Sequence, residues 1–238
     1  MLSGSVQVAA QKLFSSSADQ MHNLGETVFS NDGRAFRYAK AGATSLVPGK
    51  LQQSAAEVTG DQNLTAVAAA IGDLVIASTS TVTVTANQYA GGLAMITVTP
   101  GLGYAYKISG HAAYTAAAPS FSLVADNPVN IALTTSSRID LVSNPYSAVI
   151  VNPATASSTP VGVANFPITN AQFGWLQVAG VACVLADGTV TVGTAVDASN
   201  GTAGAVEAHP EAGVQAPVGI AVTGIATTEY GAVKIDLL

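Results

Sequence analysis

The stretch FGWLQVAGVACVLADGTVTVG, residues 173–193, decides the fold class of this chain. It contains three runs, WLQVAG, VACVLADG and TVTVG, and its one charged residue is Asp187. Valine, threonine and aromatic residues are enriched in strands, so each run predicts a β-strand. Asp187 is followed by Gly188, a dipeptide typical of two-residue hairpin turns. We therefore expect the last two runs to form a hairpin that turns at Asp187 and Gly188.

The same stretch contains the single cysteine and the single tryptophan of the chain. Cys183 alternates with Val181 and Leu185, which predicts that it behaves as a small apolar residue of the core. Trp175 lies beside leucine and valine in a β-prone run, a setting more typical of a core residue than of a ligand-stacking platform.

Short β-prone runs also extend along the rest of the 238 residues. TSTVTVTA at 79–86 and YAYKISG at 104–110 alternate with a period of two, and turn residues recur about every ten positions. Parallel βαβ units would need amphipathic helices, and the sequence shows no such helices. The fold class predicted is all-β, with a β-barrel or β-sandwich body.

A second hairpin signal occurs near the N-terminus, where NDG at 31–33 separates two β-prone runs. The strand after this turn carries Arg34, Phe36, Arg37 and Tyr38, so one of its faces is predicted to be aromatic and the other basic. Before the first turn, residues 5–22 allow either a short amphipathic helix or an extended arm.

These patterns suggest three parts of the chain. We expect an N-terminal arm or helix at 1–23, a β-rich body formed by 24–75 together with 146–238, and an inserted, outward β-sandwich-like module at 76–145. The two flanks share a turn-rich β character, which predicts that they pair in one sheet. A structure without sheet contacts between them would contradict this layout.

The composition narrows the functional classes. Charged residues make up 9% of the chain, against roughly 25% in average globular proteins. The net charge of −6 argues against direct binding of nucleic acid. One cysteine excludes an intramolecular disulfide or a multi-cysteine zinc site. No signal peptide or membrane-spanning stretch is recognisable, so we expect a protein made in the cytoplasm that does not bind a membrane.

The sequence shows no catalytic constellation. Its three histidines, His22, His111 and His209, are isolated from one another, and neither a G-x-S-x-G elbow nor a phosphate-binding loop occurs. We therefore expect no enzyme activity, no catalytic residue, no cofactor and no metal site.

Several segments together carry a family resemblance. LGETVFSNDGRAFRYAKAG at 24–42, LVPGKLQQSA at 46–55, PVGVANFPITNAQFGWLQVAGVACVLADG at 160–188 and EYGAVKIDLL at 229–238 are joined by a middle rich in threonine and valine. In this pattern of turns and strands the chain resembles the decoration, or cement, proteins of tailed-bacteriophage capsids. The resemblance covers about residues 24–238 and contains no catalytic motif.

The resemblance implies a structural virion protein on the exterior of the capsid. Such proteins bind the assembled head, often as homotrimers, and cement neighbouring subunits of the major capsid protein against the pressure of packaged DNA. The implied partners are the major capsid protein and further copies of the chain. Candidate contacts to the capsid or to a sister subunit are Arg34, Phe36, Arg37, Tyr38 and Phe14, although an ordinary strand with solvated arginines is equally compatible with the sequence.

Two other classes stay open at this stage. A tail-fibre or receptor-binding module that recognises a host-surface saccharide would need an exposed aromatic cluster. A polysaccharide-degrading enzyme would need paired carboxylates in a cleft. The sequence also leaves open whether the middle module binds a host ligand.

Overall fold

A computed structural model describes residues 12–209 and 215–238, and this part of the chain forms β-strands and no α-helix. The prediction of an all-β fold is confirmed, with antiparallel sheets that curl into half-barrels. The chain divides into two compact units. We call Met1–Ala56 with Pro145–Leu238 the body unit, and Glu57–Asn144 the inserted unit.

The body unit is built on one ten-stranded sheet. Its strands are β1 (Thr27–Phe29), β2 (Ala35–Lys40), β3 (Leu51–Gln53), β12 (Ile150–Val151), β13 (Pro160–Ala164), β14 (Phe173–Leu185), β15 (Ala195–Ala198), β16 (Val206–Ala208), β17 (Pro217–Ala221) and β18 (Tyr230–Asp236).

The inserted unit contains the intervening strands. They are β4 (Leu64–Thr65), β5 (Val75–Ala77), β6 (Val82–Val84), β7 (Leu93–Val98), β8 (Ala105–Gly110), β9 (Tyr114–Ala117), β10 (Ser120–Leu123) and β11 (Arg138–Val142).

The thirteen-residue strand β14 organises the body sheet. Its first half pairs with β2 on one side and with β13 on the other, and its second half, from Ala179 onward, pairs with β18. The sheet then continues through β17 and β15 to β16, and a bridge between Ala186 and Val206 returns to the end of β14. The pairing of β2 with β14 therefore joins the two segments of the body unit, which are distant in sequence.

The turn at Asp187 and Gly188 exists, with Gly188 at a φ of +82°, but it does not make the predicted hairpin. The strand before the turn pairs with β18, and Val190 after the turn bridges to Ile225. The hairpin prediction was wrong because a turn signal reports a local chain reversal, whereas the strand partner is chosen by contacts that are distant in sequence.

The NDG hairpin is confirmed. Strands β1 and β2 pair in antiparallel register from Thr27 opposite Arg37 to Phe29 opposite Ala35. Gly33 has a φ of +83°, a conformation that glycine adopts without the clash a β-carbon would cause. Here the turn and the strand pairing are both local, so the sequence was sufficient.

The predicted N-terminal arm falls partly outside the described residues, because residues 1–11 are not described. From residue 12 onward the segment lies on the body sheet: Leu13 is buried, and Ser17 exchanges two backbone hydrogen bonds with Phe173. These contacts add the described part of this segment to the edge of the body sheet.

The inserted unit has a six-stranded sheet in the order β4, β11, β7, β8, β10, β5 and a two-stranded sheet of β6 and β9. Its core includes Ile76, Tyr106, Ile108 and Phe121, all fully buried. The unit begins at Glu57, whereas the sequence placed the boundary at residue 76. The earlier boundary follows from strand pairing, because β4 pairs with β11 and β5 pairs with β10.

Candidate functional site

Two of the five predicted contact residues are buried in the body unit. Phe36 is fully buried and Tyr38 is 3% exposed, and both pack in a cluster with Leu13, Phe173 and Trp175. They are therefore part of the core and are not available as surface contacts. The aromatic side of β2 is covered by residues of the same chain, among them Leu13 of the N-terminal segment.

Arg37 is also engaged within its own unit. Its guanidinium lies 5.5 Å from the ring centroid of Tyr146, a cation–π contact. Because this half-buried side chain packs against a residue of the same unit, it contributes little surface to an external partner.

Of the other two predicted contact residues, Phe14 is exposed and Arg34 is half-buried beside it. Phe14 is 42% exposed, and the Arg34 guanidinium lies 5.6 Å from the centroid of its ring and 5.4 Å from that of Phe36. The same guanidinium forms an ion pair of 2.7 Å with Asp32. The aromatic rings and the carboxylate thus hold Arg34 in one position.

Phe14 and Arg34 border a surface cavity of about 440 Å³. Its other walls include Val181, Cys183 and Tyr230 from β14 and β18. The cavity therefore joins the N-terminal contact residues to the outside of the body sheet.

The outside of β14, β18 and β17 is an exposed face with few charges, which we call the outer face. Val181, Lys234 and Ile220 are cross-strand neighbours in one row, and the two apolar side chains are 50% and 51% exposed. Tyr230 and Val222 extend the outer face, at 49% and 44% exposed. Large exposed apolar patches mark sites that contact other molecules, and on this face the exposed apolar side chains flank a single lysine, Lys234.

Cys183 belongs to this outer face and is exposed, so its prediction as a core residue was wrong. The inward positions of the strand are its neighbours Ala182 and Val184, which pack in the core with Val233. The sequence did not reveal the orientation because side chains on both faces of this strand are small and apolar. Trp175 is 2% exposed, in agreement with its predicted place in the core.

Each histidine has a partner close by within its own unit. The Nδ1 atom of His22 lies 3.0 Å from Glu26 Oε1, and that of His209 lies 2.6 Å from Asp197 Oδ2. His111 accepts a hydrogen bond at Nε2 from the backbone N–H of Tyr89. Among residues 12–209 and 215–238, no group of three or more His, Cys, Asp or Glu side chains is arranged to hold a metal ion.

No helix among the described residues is long and apolar enough to cross a membrane.

The inserted unit contains a buried polar pair, in which the hydroxyl of Tyr89 donates a hydrogen bond to the carboxylate of Asp61. Asp61 is 2% exposed and Tyr89 is 3% exposed. Burial, the hydrogen bond and the negative charge of Asp61 all raise the pKa of Tyr89 well above its usual value. The pair is a structural element of the unit's core, since a buried carboxylate needs a hydrogen-bond donor.

We expect the protein to lose stability in alkaline solution, because several of its tyrosines are buried. Burial raises the pKa values of Tyr38, Tyr89 and Tyr146. Above a pH of about 10 the unfolded chain loses phenolic protons that the folded chain still holds, so the free energy of unfolding falls as the pH rises. The expected slope is up to about 1.4 kcal/mol per pH unit for each tyrosine.

Urea denaturation at a series of pH values above about 9.5, near and above the ordinary tyrosine pKa of about 10, measures this slope. Tyr89→Phe is expected to reduce the slope, whereas Tyr230→Phe, at a half-exposed ring, serves as the matched control and is expected to leave it unchanged. Equal slopes in the wild type and in Tyr89→Phe would contradict the assignment.

Comparison of the chain with protein-family models, with curated proteins and with solved structures gave no match.

Proposed function

We propose that this chain is a structural virion protein that decorates the outside of a tailed-phage head and cements neighbouring subunits of the major capsid protein. The sequence resemblance over about residues 24–238 supports this proposal. The structural observation that supports it best is the outer face, an exposed apolar surface on a chain with few charges. Interface cores between proteins are depleted in charged residues in the same way.

The proposed mechanism is mechanical. A protein that binds only the assembled lattice stabilises that lattice by mass action. Repetition over the many equivalent positions of a shell lets a modest contact at each position act with high avidity. The proposed partners are the major capsid protein and further copies of the chain, which the resemblance suggests are arranged as a homotrimer.

Phe14 and Arg34 are the proposed capsid contacts. Both reach the surface beside the cavity of about 440 Å³, and the ion pair with Asp32 together with the two aromatic rings restricts the guanidinium. Restricted side chains lose less conformational entropy on binding, which favours their use in a contact.

The saccharide-binding alternative would need an exposed cluster of aromatic rings. Every aromatic ring pair found in the described residues includes at least one buried ring, as in the pair of Tyr104 with the fully buried Tyr106. The outer face, with its valine and isoleucine side chains, is better suited to a protein surface than to a sugar.

Electron microscopy of heads with and without this protein tests the proposal. The expected result is extra density that repeats regularly over the shell when the protein is present. Density confined to the tail would contradict the proposal and favour the receptor-binding alternative.

Heating the same two preparations tests the cementing mechanism. Heads that carry the protein are expected to release their DNA at a higher temperature than heads that lack it. An Arg34→Glu variant is expected to decorate fewer positions, with Lys107→Glu in the inserted unit as a control of equal charge change. Identical release temperatures with and without the protein would contradict a cementing role.

A further inference from the structure

The outer face carries two opposite charges on one strand. Lys234 and Asp236 lie two residues apart on β18, and both side chains are exposed on the same side of the strand. Two positions along a strand correspond to about 7 Å. Within the described residues, neither side chain takes part in an ion pair.

The surroundings of Lys234 are apolar. Val181 on β14 and Ile220 on β17 are its direct cross-strand neighbours, and both are about half exposed. On the next row, Ala232 lies opposite Cys183. A partner that covers this face would bury the apolar side chains and would need to present a negative charge to Lys234 and a positive charge to Asp236.

A second copy of the same face meets this requirement. In a two-fold contact the same patch is used by both copies, so residue i meets residue j and residue j meets residue i. A two-fold axis that lies between the two faces, perpendicular to β18 and level with Ile235, sets the two β18 strands antiparallel and face to face. It places Lys234 of each copy opposite Asp236 of the other.

We infer that two copies of this chain associate through their outer faces about this two-fold axis, with reciprocal pairing of Lys234 and Asp236 amid the apolar side chains. The contact joins single chains into dimers or, if the copies are trimers, joins trimers into hexamers. The inference does not depend on the proposed capsid role, because it is tested on the isolated protein.

Sedimentation velocity of the full chain over a concentration series provides the test. Lys234→Asp and Asp236→Lys each place like charges opposite each other at both pair positions. Each is expected to weaken association by about tenfold or more, since it replaces two attractive pairs with two repulsive ones. The double variant Lys234→Asp with Asp236→Lys restores opposite charges and is expected to recover the association of the wild type.

The double variant shows whether the partner surface is a second copy of the same face. Swapping the two charges restores opposite pairs only if the partner carries the same swap. Ile220→Ser is expected to weaken association without a change of charge, and Lys107→Asp in the inserted unit is expected to leave it unchanged. Circular dichroism of each variant checks that it is folded.

The inference would be overturned if the wild type sedimented as a single chain at every concentration. It would also be overturned if the wild type formed only a trimer that the single substitutions leave intact, or if the double variant stayed as dissociated as the single variants. Failure of the protein to decorate phage heads would count against the proposed function and would leave this inference standing.

Discussion

Replacing Phe36 with alanine is expected to lower the free energy of unfolding by about 3–5 kcal/mol, the usual cost of truncating a fully buried aromatic side chain. Phe36 is fully buried among Leu13, Tyr38 and Trp175. Removal of its ring loses the apolar transfer free energy and leaves a cavity beside the single tryptophan. Trp175 is retained in this variant, so its fluorescence reports the urea transition of the body unit directly.

Phe14→Ala is the matched control, because the residue type is the same and the ring contacts Phe36 edge-on at 6.1 Å between centroids. Phe14 is 42% exposed, so its truncation is expected to cost less than about half as much as that of Phe36. If the two variants lost the same stability, the placement of Phe36 in the core and of Phe14 at the surface would be wrong.

Tyr89→Phe is expected to lower the free energy of unfolding by about 1.5–3 kcal/mol, the range for hydrogen bonds to charged groups. The substitution keeps the ring and removes only the hydroxyl that donates to Asp61. Asp61 is 2% exposed, so water cannot readily replace the lost donor. Hydrogen exchange of the amides in β7 and β8, measured by mass spectrometry, localises the effect to the inserted unit.

Adding Asp61→Asn to Tyr89→Phe removes the unpaired buried charge and is expected to recover part of the lost stability. Tyr104→Phe in the same unit is the matched control, since its ring is 42% exposed and its loss of a hydroxyl should change stability by less than about 0.5 kcal/mol. A Tyr89→Phe protein as stable as the wild type would show that the hydrogen bond to Asp61 does not hold the core together.

The candidate site was only partly accessible to sequence reasoning. Phe14 is exposed and Arg34 is half-buried beside it, but Phe36 and Tyr38 are covered by residues of the same chain. An alternating strand reveals that its two faces differ, and it does not reveal which face the rest of the chain covers. That information depends on Leu13 and Trp175, which precede and follow β2 by many residues.

The outer face was missed for a related reason. Val181 and Cys183 alternate with Ala182 and Val184, and all four side chains are small and apolar. Alternation between apolar and polar residues is the signal that orients a strand, and this strand lacks it. An isolated charge such as Lys234 between apolar neighbours was a possible signal, but it becomes visible only once β14, β18 and β17 are known to be adjacent.

The all-β class and the NDG hairpin could be predicted from the amino-acid sequence, because strand propensity and turn chemistry act over a few residues, and the scarcity of charge follows directly from the composition. Three features became known from the folded chain: β14 pairs with β18 and not with the chain that follows the turn at Gly188, the inserted unit begins at Glu57, and Cys183 faces outward. Each of these depends on contacts between segments that are distant in the chain. Where both faces of a strand are apolar, local patterns allow several pairings and orientations, and the packing of the whole unit selects one of them.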